Sequence, residues 1–225
     1  VNTEGIRISR TEQTGVALIT LDSSAENSIV VCPGANGTVD SDEILAALEA
    51  LPVLKMIMLQ LEIPMDCVER TVAYAAQRGI PVFLDPAPVP PEGLPEELYA
   101  KLTYIAPNSI EAELLTGIHV CDTASARAAA QFFLARGVKN AVIKLGSHGV
   151  YAANEQGEQL IHPYHVDAID TTAAGDTFGG AFCARISGGS SLEDALHFAN
   201  AAGAFSTTRA GAQPAMPSLE EINLF

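Results

Sequence analysis

The residues best suited to chemistry lie together in Asp170-Thr171-Thr172-Ala173-Ala174-Gly175-Asp176-Thr177-Phe178-Gly179-Gly180-Ala181-Phe182. Small side chains leave successive backbone N–H groups uncovered where a helix begins. Such a start binds a phosphate oxyanion through hydrogen bonds and the helix dipole together. Asp176 stands at that start, where a carboxylate can take the proton of an alcohol whose oxygen attacks a bound phosphoryl group. An ordinary helix with an acidic first turn and a Gly/Ala packing face fits the same composition, and the residue types alone leave both readings open. No Gly-x-x-x-x-Gly-Lys-Ser/Thr loop and no Gly-x-Gly-x-x-Gly occurs in the sequence, so phosphate cradling by those devices is excluded.

The elements that must position this segment are legible as alternating patterns. Val16-Ala17-Leu18-Ile19-Thr20-Leu21 and Ser28-Ile29-Val30-Val31-Cys32 flank a polar turn at 22–27 and predict a hairpin. Ser41-Asp42-Glu43 offers an N-cap and acidic first turn to a helix running through Leu51. An apolar run over 53–61 predicts a strand, and a helix over 65–78 ends at Gly79. Further strands are expected over 80–85, 104–106 and 141–145, with helices over about 95–102, 110–116 and 124–136 between them. A second hairpin (150–153 with 159–162) precedes two helices, over about 175–187 and 192–207. Short apolar strands alternating with helices predict an α/β fold whose mostly parallel sheet is covered on both faces. In such sheets ligands sit beyond the carboxyl ends of the strands, which directs attention to the loops after Leu61, Asp85, Ile105 and Leu145.

Composition narrows the partners. Of 225 residues, 48% are hydrophobic and 17% charged, which excludes a disordered chain. No apolar stretch approaches the ~20 residues of a membrane helix. Twelve Lys plus Arg against 27 Asp plus Glu give a formal net charge of −15, which argues against nucleic acid and anionic lipid as partners. The four cysteines (Cys32, Cys67, Cys121 and Cys183) have neither zinc spacing nor a disulfide pattern, and a reducing cytoplasm is expected. His162-Pro163-Tyr164-His165 reads as a loop and not as a metal-binding helix face.

The whole word from Asp170 to Phe182 resembles the second signature of the ribokinase, or PfkB-type, carbohydrate kinase family. The resemblance extends along the chain through Thr14-Gly15-Val16-Ala17, Val31-Cys32-Pro33-Gly34-Ala35-Asn36, Leu59-Gln60-Leu61-Glu62-Ile63-Pro64, Pro107-Asn108-Ser109-Ile110-Glu111, Leu145-Gly146-Ser147-His148-Gly149 and Thr208-Arg209-Ala210-Gly211-Ala212-Gln213-Pro214. It implies a three-layer fold with a partial β lid at about 14–36 and a nucleotide-binding core at about 40–225, in one domain.

Roles follow from the resemblance. Asp176 would be the base on the sugar hydroxyl, and Ala173, Ala174 and Gly175 the anion hole. Glu62 would accept hydrogen bonds from sugar hydroxyls. Asn108 and Glu111 would organise Mg²⁺ through water, a role compatible with capping their helix. Lys144, Leu145, Gly146, Ser147, His148 and Gly149 would line ATP, with Asn200 beside the adenine. Gly146 and Gly149 would permit close backbone approach to the nucleotide. Asp170, Thr172, Ser206, Arg209, Gly211 and Ala215 would surround K⁺, although the family commonly has Ser where this chain has Ala215.

Family members also begin with about 80 further residues that include a Gly-Gly-x-x-x-Asn sugar motif. That motif is missing here, and Val1 is not an initiator Met, so a fragment of a longer kinase is expected. The activity implied is phosphorylation of D-ribose at its 5-hydroxyl by Mg·ATP, in a cytoplasmic enzyme that pairs as a homodimer through its lid. Two alternatives are a fructokinase or 2-keto-3-deoxygluconate kinase relative, and a nucleotide-binding module without kinase activity.

Overall fold

A computed structural model of the chain describes residues 2–21 and 27–225. The hairpin comes first, with β1 (Val16–Leu21) antiparallel to β2 (Asn27–Cys32) and Val16 opposite Cys32. Residues 22–26 of its expected turn lie outside the described residues. Val16, Leu18, Val30 and Val31 are all exposed on this ribbon.

Six strands form the main sheet, in spatial order β3 (Ile57–Leu59), β4 (Val82–Leu84), β5 (Tyr104–Ile105), β6 (Asn140–Lys144), β7 (Val150–Asn154) and β8 (Gly157–Ile161). The first four run parallel, and β6–β7–β8 are antiparallel. The period of two along each strand divides the core. Val82, Leu84, Ala141, Ile143, Tyr151 and Ala153 face one helical layer, whereas Phe83, Val142 and Ala152 face the other.

The first layer contains α2 (Met65–Arg78), α3 (Glu96–Tyr99) and α5 (Thr123–Ala135), which bury Val68, Val72, Leu98, Ala126, Ala129 and Phe133. The second contains α6 (Ala174–Ser187) and α7 (Leu192–Ser206), which bury Phe178, Phe182, Ala195, Leu196 and Ala199. α6 and α7 run antiparallel and very close. A Cβ on Gly203 would lie 3.3 Å from the Ala174 carbonyl oxygen. α4 (Ser109–Thr116) carries Asn108 as its cap, and α8 (Leu219–Leu224) is tied to the end of α7 by the Arg209–Glu221 pair at 2.5 Å.

Several expected boundaries move. The helix over 41–51 is α1 (Ser41–Glu49), and its cap is Asp40, whose carboxylate accepts the N–H groups of Asp42 and Glu43. The apolar run at 53–61 contributes only three strand residues, because Leu51 and Val53 stand exposed and pairing to β4 begins at Ile57. α8 was not expected, yet its capping box, Ser218 with Glu221, is of a standard kind.

Candidate active site

The first turn of α6 is a candidate anion site built from backbone. Its N-cap, Ala173, supplies no side-chain hydrogen bond and sits in the left-handed region at φ 58°, alone among the described non-glycine residues. That conformation costs roughly 1–2 kcal/mol for a residue with a Cβ. Thr177 holds the turn by donating both its N–H and its hydroxyl to the Ala173 carbonyl, each at 2.9 Å. Ala174 donates its N–H to the Thr171 carbonyl at 3.2 Å, so it is already engaged. The N–H groups of Gly175 and Asp176 have no acceptor among the described residues. The Ala173 N–H has none either, so within the Ala173–Gly175 assignment only Ala174 is already engaged.

Asp176 is exposed, and its Oδ1 accepts a hydrogen bond of 2.8 Å from Gln60 Nε2. Gln60 follows β3 directly, so the carboxylate lies at the carboxyl end of a parallel strand, where sheets of this kind place ligands. Glu62, two residues further on, is exposed in the same loop.

Beneath Gly175 lies an ion pair. Lys144 Nζ, at the end of β6, donates to Asp85 Oδ2 at 2.6 Å. A Cβ on Gly175 would sit 3.4 Å from that ammonium and 3.7 Å from the carboxylate. Burial pushes the Asp85 carboxyl up, against the attraction of Lys144. Asn108 and Glu111 close a reciprocal cap. Asn108 donates its N–H and its side-chain amide to the two Glu111 carboxylate oxygens, each at 2.7 Å, and Glu111 N–H returns to Asn108 Oδ1 at 2.9 Å. Burial raises the Glu111 carboxyl, and the Asn108 N–H opposes that. Each oxygen keeps a second lone pair, which suits contact with a hydrated cation.

A cleft of about 400 Å³ opens beside these groups. Asn108, Lys144, Gly146, Ser147, Gly149, Ala174, Gly175 and Asn200 line it, as do Pro163–Val166, Phe178 and Thr207. Asn200 donates its amide to the His162 carbonyl at 2.8 Å and so holds the loop after β8 in place. Leu145 instead packs into the core, and exposed His148 is not part of the wall. Gly149 has φ 92°, and a Cβ there would meet the Ile161 carbonyl oxygen at 2.0 Å. Its requirement for glycine thus comes from β8. Gly146 has open space around its Cβ position.

The residues expected around a monovalent cation converge in part. Asp170 accepts the N–H of Thr172 (2.9 Å) on Oδ1 and that of Gly211 (2.8 Å) on Oδ2. These bonds, Gly211's foremost, hold its carboxyl down at about 2. The Arg209 side chain is committed to Glu221, Ser206 is buried with its hydroxyl donated to the Gly203 carbonyl, and Ala215 is buried without a polar group. Any cation held here would rely on Asp170 and backbone carbonyls. Because the folded pKa is depressed, Asp170 stabilises the fold above its unfolded pKa and loses that contribution as pH falls through the folded value. The Tm deficit of Asp170→Asn should be full above about pH 4 and close as the pH approaches 2. A deficit of equal size at both ends of a thermal-melt pH series would contradict this.

Gln60 and Asp85 were not among the site residues expected from sequence. The signal for both was position at a strand's carboxyl end. Among the described residues no group of three His, Cys, Asp or Glu side chains is arranged to hold a metal, and no helix is long and apolar enough to cross a membrane.

Residues 1–219 match the pfkB family carbohydrate kinase profile. The chain is 40% identical over 212 residues to a ribokinase of Staphylococcus aureus (strain COL), covering 94% of this chain and 69% of that protein. The crystal structure of a ribokinase from Thermotoga maritima is similar with a TM-score of 0.83 at 37% identity, covering 97% of this chain and 71% of that one. Arabidopsis thaliana ribokinase complexed with ribose and ATP gives a TM-score of 0.82 at 29% identity, over 95% and 69%. The profile match over residues 1–219 and the 40% identity to a ribokinase show that the chain belongs to the pfkB family of carbohydrate kinases.

Proposed function

We propose that the chain transfers the γ-phosphoryl group of ATP to the 5-hydroxyl of D-ribose, giving ribose 5-phosphate and ADP. The observation that carries this reading is the first turn of α6, where two unengaged N–H donors adjoin the Asp176 carboxylate at the mouth of a nucleotide-sized cleft. The relatives named ribokinase support the choice of sugar.

In this reading Asp176 takes the hydroxyl proton as the sugar oxygen bonds to phosphorus and the bond to the bridging oxygen of ADP breaks. Gln60 aims the carboxylate. The N–H groups of Gly175 and Asp176 receive charge that grows on the transferring oxygens. Glu62 binds sugar hydroxyls. Gly146, Ser147 and Asn200 border the nucleotide, while Asn108 and Glu111 would hold Mg²⁺ through water, where it would neutralise phosphate charge. Asp170, with carbonyls near Thr172, Ser206, Arg209 and Gly211, would hold K⁺. We place the enzyme in the cytoplasm, in keeping with its free cysteines, and assign homodimer contacts to the exposed apolar ribbon β1–β2.

A panel of pentoses and hexoses, assayed by sugar-dependent ADP release, tests the reading. Ribose should give the highest kcat/KM. A hexose preferred by more than about tenfold, equal to 1.4 kcal/mol of transition-state binding, would redirect the assignment to another sugar kinase. ATP binding with no sugar-dependent release would leave only a nucleotide-binding module.

A further inference from the structure

A phosphate-binding cleft in a protein of formal net charge −15 needs a local positive device. Of the residues that line this cleft, only Lys144 is a Lys or Arg. Its ammonium has one acceptor among the described residues, Asp85, at 2.6 Å, and Asp85's carboxylate has no other side-chain partner there. Asp85 is 2% exposed, and its Oδ1 is buried with no hydrogen bond among the described residues. A buried carboxylate with one oxygen unsatisfied is a cost to the fold.

The pair also has a definite place. Asp85 follows β4 and Lys144 ends β6, so the bridge spans the carboxyl end of the short strand β5 between them. It puts the ammonium directly under Gly175, within 3.4 Å of where a Cβ on that residue would stand. The free N–H donors of the α6 turn and the sole cationic side chain of the cleft are therefore neighbours.

We propose that Asp85 is a positioning residue whose task is to hold the Lys144 ammonium beneath the α6 turn, where it binds the terminal phosphates of the nucleotide. The inference rests on the kinase reading above. Asp85 touches neither substrate and acts through Lys144 alone. An ammonium on a flexible four-carbon stem would otherwise sample many positions, and fixing it removes that search from the reaction.

The test is a double-mutant cycle of Asp85→Asn and Lys144→Gln in the otherwise intact protein. Its readouts are kcat, sugar KM, and calorimetric binding of AMP and of a non-hydrolysable ATP analogue. Lys144→Gln should weaken the triphosphate analogue roughly tenfold or more while AMP binding stays within about twofold, as expected for loss of a charge-assisted hydrogen bond. Asp85→Asn should lower kcat by about tenfold or more with sugar KM within about twofold, since a displaced group costs rate before it costs sugar binding. In the Lys144→Gln background, Asp85→Asn should change kcat and analogue binding by less than about threefold, because the two act as one unit.

Should Asp85→Asn alone fail to fold, comparison of the double variant with Lys144→Gln still decides the matter. A further loss beyond about threefold in that comparison, confirmed in folded protein by thermal melts, would make Asp85 a structural pin and overturn the proposal. So would Asp85→Asn with wild-type kcat and analogue affinity. If the unmutated protein bound neither nucleotide nor sugar, the kinase reading would fail and this inference with it. A wild-type kinase with silent variants defeats the inference alone.

Discussion

Asp176→Asn should lower kcat by roughly 10²–10⁴ while ATP affinity stays close to wild type. The amide keeps the size of the carboxylate and can still accept the Gln60 hydrogen bond of 2.8 Å. It cannot take up the sugar's proton. Loss of one hydrogen bond to that hydroxyl adds about 1 kcal/mol to sugar binding, a small effect beside the loss in rate. Stability should barely change, because the side chain is exposed and its removal leaves no buried group unpaired. Steady-state kinetics would check this, and more than a tenth of wild-type turnover retained would show that the proton acceptor lies elsewhere.

Gly175→Ala should be the second severe variant, by another route. The added methyl would stand 3.4 Å from Lys144 Nζ and 3.7 Å from Asp85 Oδ2, distances of ordinary contact, so the fold should accommodate it. Gly175 does not have a positive φ, and Ala is the better helix former. The methyl would, however, stand between the α6 donors and the ammonium, where phosphate oxygens must pass. Loss of an oxyanion contact of this type costs roughly 10²–10³ in kcat. Tm should remain within a few degrees of wild type, corresponding to at most about 1 kcal/mol. Unimpaired turnover by a folded Gly175→Ala protein would remove the anion hole from this turn.

Much of this arrangement was legible in the sequence because it rests on local rules. α2 runs from Met65 to Arg78 and stops at Gly79 in the left-handed conformation, as apolar spacing and a terminal glycine specify. The α6 start was readable as a helix beginning among small residues, with anion binding left open, and Asn108 and Glu111 as a cap and acidic first turn. What escaped was long-range pairing. Gln60 lies 116 residues from Asp176, and Asp85 lies 59 from Lys144. No periodicity relates such partners, and the sheet order brings them together. The strand over 53–61 was overestimated for a related reason. Apolar character permits a strand, but a partner strand is needed to make one, and β4 reaches only Ile57–Leu59.

The close antiparallel packing of α6 and α7 has an electrostatic consequence. The start of α6 lies beside the end of α7. There the Thr207 carbonyl accepts the N–H groups of both Ile169 and Asp170, at 2.7 and 3.1 Å. Helix termini carry about half an elementary charge of opposite sign, so the negative pole of α7 subtracts from the field that α6 offers a phosphate. The Asp170 carboxylate, ionised down to about pH 2, deepens that subtraction. A monovalent cation seated between the Asp170 loop and the last turn of α7 would offset most of that combined charge, roughly −1.5, without touching the substrate. Its influence on turnover would then be that of a neutraliser, restoring to α6 the pull on anions that its neighbour takes away.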